Sequence, residues 1–190
     1  MNRPRGTSPI EALLAASVGL LMLTALTAAL AGGARALVRG GARAEASDTS
    51  GLATEAFLFD VRRAGHDAAG ITVTPVTLAR PDRVTLEADL DGNGIVDGGS
   101  AERVSWVCST STRRLSRILG AQSMPVADGV IGCGFSYLDG GAAALAAPPG
   151  GLDAAGRAQI ALIVLDLRLA PRGGGRPIER SLAVAVRSRS

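Results

Sequence analysis

Residues 6–31 read GTSPIEALLAASVGLLMLTALTAALA, and this stretch determines how the rest of the chain is organised. No charged residue occurs from Ala12 to Ala31. A helix of this length, at about 1.5 Å of rise per residue, extends roughly 30 Å, which matches the hydrocarbon thickness of a bilayer. The sequence therefore predicts a membrane-spanning helix near the N-terminus.

A single acid, Glu11, lies at the start of this apolar run and follows a short basic leader. An unpaired carboxylate at the centre of a membrane helix costs about 2.5–3.5 kcal/mol, so Glu11 needs a partner or a boundary position. Residues 8–11, Ser-Pro-Ile-Glu, also form a capping box with proline at the first helical position. As part of a capping box, Glu11 closes the end of the helix. This role is compatible with pairing to a charged partner.

The same residues resemble the class III signal of type IV prepilins and type II secretion pseudopilins. In that family a short leader ends in glycine, and a membrane peptidase cuts after it. The new terminus is methylated, and the glutamate at the fifth position pairs with the terminus of a neighbouring subunit. Here Gly6 matches the cleavage glycine and Glu11 the acid, whereas Thr7 and Pro9 replace the usual phenylalanine and leucine.

An ordinary secretory signal peptide is an alternative for this stretch. Arg3 and Arg5 would form its basic region, and residues 29–31 would be a small-residue cleavage site before Gly32. Against this interpretation, an apolar run of about 20 residues exceeds the usual 7–15, and an acid at its start is atypical.

The composition fits an anchor followed by one exported domain. The chain has 190 residues and a net charge of +3. It contains no lysine, so arginine supplies its positive side-chain charge at pH 7. The arginines are scattered and not interleaved with aromatic residues, so no nucleic-acid partner is expected. Two cysteines, Cys108 and Cys133, fit an oxidising compartment in which a single disulfide can form.

Helical character continues past the apolar run. The pairs Gly32-Gly33 and Gly40-Gly41 interrupt it, and since each glycine costs a helix about 1 kcal/mol relative to alanine, we expect the helix to loosen there. The helix is predicted to end before Gly65. An apolar stripe at three- and four-residue spacing precedes that end: Leu52, Ala56 and Phe59, with Ala53, Phe57 and Ala64 less regularly.

From residue 71 onward, short β-like runs alternate with glycine, proline and aspartate. The run Ile160–Leu165 is apolar on both faces and predicts a central strand, and residues 140–156 predict a loose surface loop. In the last run, Leu182, Val184 and Val186 form one buried face. The predicted strands are Ile71–Leu78, Arg83–Ala88, Arg103–Cys108, Arg114–Leu119, Val130–Leu138, Gln159–Leu169 and Ser181–Arg187.

These patterns predict an α+β fold, in which a long N-terminal helix packs on a mostly antiparallel sheet, as in pilins. The predicted segments are a leader at 1–6, a transmembrane or filament-core helix at 7–31, its continuation at 32–66 and a β-rich domain at 67–190.

Residues 89–97, DLDGNGIVD, match the first part of an EF-hand-type calcium loop. Its position twelve is Ser100 instead of a bidentate glutamate, and Glu102 lies two residues too late unless the loop bends. A hairpin turn that uses these residues only for backbone geometry is the alternative. The candidate ligands, and the glycine at the sharp turn, stand at positions one, three, five, nine and six: Asp89, Asp91, Asn93, Asp97 and Gly94.

No catalytic constellation is recognisable in the sequence, so we expect a protein without enzymatic activity. Residues 132–134, Gly-Cys-Gly, do not form a nucleophile elbow. The glycines at 173–175 lack the Lys-Ser/Thr that a phosphate-binding loop requires.

Residues 56–66 and the region around the aspartate-rich loop, up to Trp106, resemble PilW-type minor pilins. Together with the N-terminal signal, this resemblance implies a minor pilin or minor pseudopilin of the PilW or GspJ type. Its implied partners are a prepilin peptidase, other pilin subunits and the inner membrane, before assembly into a periplasmic or cell-surface filament. The competing hypothesis is a signal-anchored periplasmic binding module, with calcium as a possible ligand.

Overall fold

The computed structural model of the protein describes residues 8–70 and 72–187. The predicted processing residues, Gly6 and Thr7, lie outside the described residues. The helices and strands are, in chain order, α1 Pro9–Arg63, β1 Val76–Ala79, β2 Arg83–Glu87, β3 Arg103–Ser109, β4 Arg114–Leu119, β5 Gln122–Asp128, β6 Val130–Leu138, β7 Ala144–Leu145, α2 Ala154–Ala158, β8 Leu162–Leu169 and β9 Ile178–Ala185.

The chain divides between Gly41 and Ala42 into two compact units. In the first unit, every described side chain from Ser8 to Gly41 is exposed, including the large apolar ones. Among the described residues, α1 is the one helix that is long and apolar enough to cross a membrane. The predicted apolar N-terminal helix is therefore confirmed.

Helix α1 is continuous through both glycine pairs, so the expected loosening is not found. A β-carbon added at Gly32, Gly33, Gly40 or Gly41 would meet no atom within 4 Å. A cost of about 1 kcal/mol per glycine does not interrupt this helix of 55 residues. Extending an existing helix on both sides of a glycine is easier than starting a second helix after it.

The second unit contains two antiparallel sheets, where the sequence predicted one. The first has the strand order β1-β2-β3-β4-β5 and the second the order β7-β6-β8-β9. Strand β8 is central, as its apolar run predicted, and its side chains Ile163 and Leu165 are fully buried. Val184 and Val186 are also buried, as expected. The predicted α+β fold, a long helix packed on antiparallel strands, is confirmed.

Three elements of the second unit were not predicted. Strand β5 contains Pro125 and few buried side chains, but it lies at the edge of its sheet, where a missing N–H is tolerated. The predicted loose loop at 140–156 contains β7 and the start of α2. Asp153 caps α2, because its carboxylate accepts a hydrogen bond from the Gly156 amide.

The face of α1 that packs on the sheets is not the one that the main apolar stripe predicted. Ala53, Phe57 and Val61 are completely buried, whereas Leu52 and Phe59 are 66% and 59% exposed. The prediction was wrong because an acid, Asp60, belongs to the buried face and makes that face read as less apolar.

Asp60 is only 3% exposed and joins α1 to the first sheet. Its carboxylate accepts a hydrogen bond of 2.9 Å from Trp106 Nε1. It also forms a bidentate ion pair with Arg117, with Nε and Nη2 at 2.6 and 2.8 Å. Trp106 and Arg117 stand directly opposite each other on β3 and β4. The pair with Asp60 raises the pKa of Arg117 above its ordinary value, so the guanidinium stays charged.

The two sheets are linked by a disulfide and by an aromatic cluster. Cys108 on β3 and Cys133 on β6 form the predicted disulfide, with their Cα atoms 6.0 Å apart. Closing a loop of 25 residues restricts the unfolded chain by roughly 3.5 kcal/mol in the entropy model. Between the sheets, the ring of Phe57 lies 5.4 Å from that of Trp106 and 5.7 Å from that of Phe135.

We predict that Asp60→Ala destabilises the second unit by about 3 kcal/mol, because it leaves the partly buried guanidinium of Arg117 without its partner. This corresponds to a decrease in Tm of roughly 6–12 °C. The measurement is thermal unfolding of the full chain in detergent, followed by circular dichroism. The control is Asp128→Ala, which breaks the exposed pair with Arg114 and should cost less than about 1 kcal/mol. Equal losses in the two variants would contradict the role of Asp60.

Candidate functional site

The loop between β2 and β3 is attached to the C-terminal end of α1. The Gly65 amide donates to the carbonyl of Glu87 at 2.8 Å, and the Asp89 amide donates to the carbonyl of His66 at 2.8 Å. Asp67 and Asp89 also form an isolated parallel bridge. The start of the aspartate-rich loop is therefore held in a fixed position.

Three carboxylates meet within this loop. Asp89, Asp91 and Glu102 each offer one oxygen, and the three oxygens lie within 4.8 Å of one another. Asp89 is completely buried and Glu102 is 5% exposed, whereas Asp91 is exposed. The group therefore has a buried base and one open side.

Glu102 reaches this group because the loop makes an additional turn before β3. The amide and the hydroxyl of Ser100 both donate to the carbonyl of Asp97, at 3.2 and 3.0 Å. The Glu102 amide then donates to the Ser100 hydroxyl at 3.1 Å. Glu102 stands two positions after position twelve of the loop pattern, and this turn takes up the two additional residues.

The structure does not bring all of the predicted ligands into the group. Asp97 is not a member, and its backbone amide donates to the carboxylate of Glu102 at 2.9 Å. Asn93 donates from its side chain to Asp91 and accepts from the Ile95 amide. Glu102 thus supplies the carboxylate that the pattern expects at position twelve, and Asp97 contacts it through its backbone amide.

Backbone amides of the loop surround the three carboxylates. Asp89 accepts from Gly92 and Gly94, at 2.9 and 3.3 Å. Glu102 accepts from Leu90, Asp91 and Asp97. These bonds give the loop a defined conformation and partly compensate the repulsion between like charges.

The donor set suits a hard divalent cation. Oxygens that bind one Ca²⁺ at 2.3–2.6 Å lie at most about 5 Å apart, and the three carboxylate oxygens, all within 4.8 Å of one another, satisfy this limit. Carboxylate and carbonyl oxygens are the ligands that Ca²⁺ takes. Asp89, Asp91 and Glu102 can therefore hold a metal ion.

The hydrogen bonds to Glu102 change its acidity. The amides of Asp97 and Leu90 stabilise the ionised carboxylate and lower its pKa, and this effect outweighs the burial of the side chain. Glu102 is therefore ionised in the folded protein at neutral pH.

At the other candidate position, Glu11 lies in the first turn of α1. Its Oε2 accepts a hydrogen bond of 3.1 Å from the Ser8 amide, which is the arrangement that a capping box predicts. The side chain is exposed. Closing the helix end therefore leaves the charge of Glu11 accessible to a further partner.

Comparison with known proteins adds no family to these observations. No protein-family model matches the sequence, and no curated protein is significantly similar to it. The resemblance to pilins therefore stays a prediction that rests on the residues described above.

The lowered pKa of Glu102 predicts a loss of stability in acid. An unfolded glutamate titrates near 4.5, so the contribution of Glu102 is fully present above that pH. It is lost as the pH falls through the lower pKa of the folded state. Glu102→Gln should lower the Tm at pH 7, and its difference from the original chain should shrink below pH 4.5.

This prediction is measured as Tm against pH in the presence of a chelator. The control is Glu179→Gln, which changes an acid that is 67% exposed and paired with Arg168. If both variants give the same pH dependence, the amide bonds to Glu102 do not contribute to acid stability.

Proposed function

We propose that this chain is a minor pilin or minor pseudopilin, a non-enzymatic subunit of a bacterial type IV pilus or type II secretion filament. In this proposal a prepilin peptidase cuts after Gly6, and the new terminus at Thr7 is methylated. The helix holds the subunit in the inner membrane until it is assembled among the helices of other subunits.

The observation that carries the proposal is Glu11, an exposed acid in the first turn of α1, directly before the uncharged run Ala12–Ala31. A helix cap alone does not require a carboxylate at the edge of hydrocarbon, because glutamine at the same position can make the capping bond without a charge. A positively charged amino terminus on a neighbouring subunit would compensate this acid when both are removed from water.

A second line of support is the burial pattern along the chain. The apolar side chains of the first unit are exposed, whereas the second unit has its own core and a disulfide. A filament of packed helices would cover the exposed apolar side chains. An oxidising periplasm would allow the disulfide to form.

The competing hypothesis is a membrane-anchored periplasmic module, and the mature N-terminus separates it from a filament subunit. Mass spectrometry of the purified protein should find methylated Thr7 in a filament subunit. An intact Met1 would indicate an anchored module, and a start near Gly32 would indicate a secreted protein.

We predict that Glu11→Gln inserts into the membrane normally but is lost from filaments, because glutamine keeps the capping bond and removes the charge. Leaving a buried amine unpaired costs about 3 kcal/mol or more, so incorporation should fall on the order of a hundredfold. Glu11→Asp should have a partial effect. The measurement is the amount of each variant in sheared filaments relative to membranes.

The control for this prediction is Glu55→Gln, which removes an exposed acid from the same helix. Normal incorporation of Glu11→Gln would contradict the pairing and leave the helix cap as the role of Glu11. A failure of Glu11→Gln to reach the membrane would show a defect in insertion instead of assembly.

The acidic loop supports a second proposal, that Ca²⁺ is the ion held by Asp89, Asp91 and Glu102. The three carboxylates repel one another, and a divalent cation among them would replace this repulsion by attraction. With one of the three exposed, we expect a weak site, with a Kd of roughly 10⁻⁴–10⁻³ M as in extracellular modules. A millimolar external supply would fill it.

We predict that Ca²⁺ at ten times its Kd stabilises the second unit by about 1.4 kcal/mol, which raises the Tm by roughly 3–6 °C. The measurement is the Tm of the full chain in detergent with calcium or with a chelator. Asp91→Ala should abolish the shift, and the control Asp97→Ala should keep it. An unchanged Tm in the original chain would reduce this loop to a turn stabilised by its own amides.

A further inference from the structure

One end of the second unit is rich in arginine. It is the end at which α1 enters this unit and at which the β3–β4, β5–β6 and β8–β9 turns meet. The Val130 amide donates to the carbonyl of Arg113, and the Ala170 amide donates to that of Gly129, so the three turns are bonded together. We call this the basic end, and its arginines are Arg43, Arg113, Arg114, Arg172 and Arg176.

The contacts of these side chains confirm that they belong together. Arg43 Nη1 donates to the carbonyl of Arg176 at 3.2 Å, and Arg172 forms an ion pair with Glu45 at 3.3 Å. Arg113 and Arg114 line one cleft with Arg172. All five arginines of the basic end are exposed.

Acidic residues compensate only part of this charge. Glu45 pairs with Arg172, and Asp128 pairs with Arg114 at 2.8 Å. Within residues 8–70 and 72–187, no acid pairs with Arg43, Arg113 or Arg176. These three exposed arginines therefore carry positive charge that no ion pair among the described residues compensates.

A cluster of acids lies at the opposite end of the same unit. The β2–β3 loop, with Asp89, Asp91, Asp97 and Glu102, lies beside the C-terminal end of α1. The second unit is thus electrically polar. The chain enters the second unit at its basic end. Residues 32–41, which connect the apolar run to this end, contain Arg35 and Arg39 but no acid.

We propose that the basic end binds the anionic phosphate headgroups of the membrane in which α1 is anchored. Exposed guanidinium groups bind phosphate with paired hydrogen bonds, and each basic residue near an anionic surface strengthens the contact about fivefold. Attraction of this kind acts within about 10 Å at physiological salt, and residues 32–41 are the chain segment that joins the apolar run to the basic end. The inference rests on the membrane anchoring in the proposed function but not on filament assembly.

The test measures how fast phenylglyoxal modifies each arginine of the full chain in lipid nanodiscs, by mass spectrometry of the peptides. Nanodiscs of phosphatidylcholine are compared with nanodiscs that also contain phosphatidylglycerol. We expect modification of Arg113 and Arg176 to slow by about fivefold or more in the anionic discs. High salt should reverse the protection. The internal control is Arg62, an exposed arginine in the last turn of α1, whose rate should not change.

Each other outcome contradicts the proposal. Equal rates in the two lipids, with the chain inserted, would overturn headgroup binding and leave the proposed anchoring intact. A chain that does not co-purify with the discs would overturn both. Protection in neutral discs by soluble glycerol phosphate would indicate a site for free phosphate compounds. Protection in neutral discs that grows with the number of copies per disc would indicate contact between the basic and acidic ends of two copies.

Discussion

The buried carboxylate of Asp60 fixes the position of α1 on the first sheet. Apolar side chains permit a helix to rotate or slide with modest repacking. A guanidinium that donates two hydrogen bonds and an indole N–H that donates a third are compatible with only one orientation of the carboxylate. The register of β3 and β4 places Trp106 opposite Arg117, so both donors reach the same acid. Once Asp60 is fixed, Phe57 must lie between the aromatic rings of the two sheets. The helix end, and the loop bonded to it, take their positions from the same contact.

Features that depend on neighbours in sequence could be predicted, and features that depend on distant partners could not. The apolar run of α1 and the central strand β8 are both recognisable from local patterns. The buried face of α1 is not, because Asp60 is compatible with the core only through Trp106 and Arg117, which lie 46 and 57 residues further along the chain. Strand β5 has little apolar character of its own and is defined by its pairing with β4.

The candidate metal site illustrates the same division within one loop. The alternating acids identified Asp89 and Asp91, since in a tight loop side chains at alternate positions converge on one side. Beyond Gly94, spacing alone fails, because the turn at Asp97 and Ser100 changes which later residue returns to the group. Glu102 then takes its place through bonds to amides 11 and 12 residues away. Glu102 can be recognised in the sequence as an acid, but the turn that brings it into the group of carboxylates cannot.

The separation of positive and negative charge between the two ends of the second unit follows from its antiparallel topology. It cannot be recognised from the composition. Successive turns of an antiparallel sheet alternate between its two ends. Arginines in the β3–β4 and β8–β9 turns that lack an ion pair among the described residues, and an aspartate-rich β2–β3 loop at the other end, therefore separate charge along the strands. In the linear sequence these arginines look scattered, because residues that are neighbours in space are separated by a strand and its return. A net charge of +3 therefore describes neither end of the unit. If the unit lies above an anionic bilayer, attraction at the basic end and repulsion of the acidic loop favour the same orientation, and the loop remains open to the solvent from which it would take a cation.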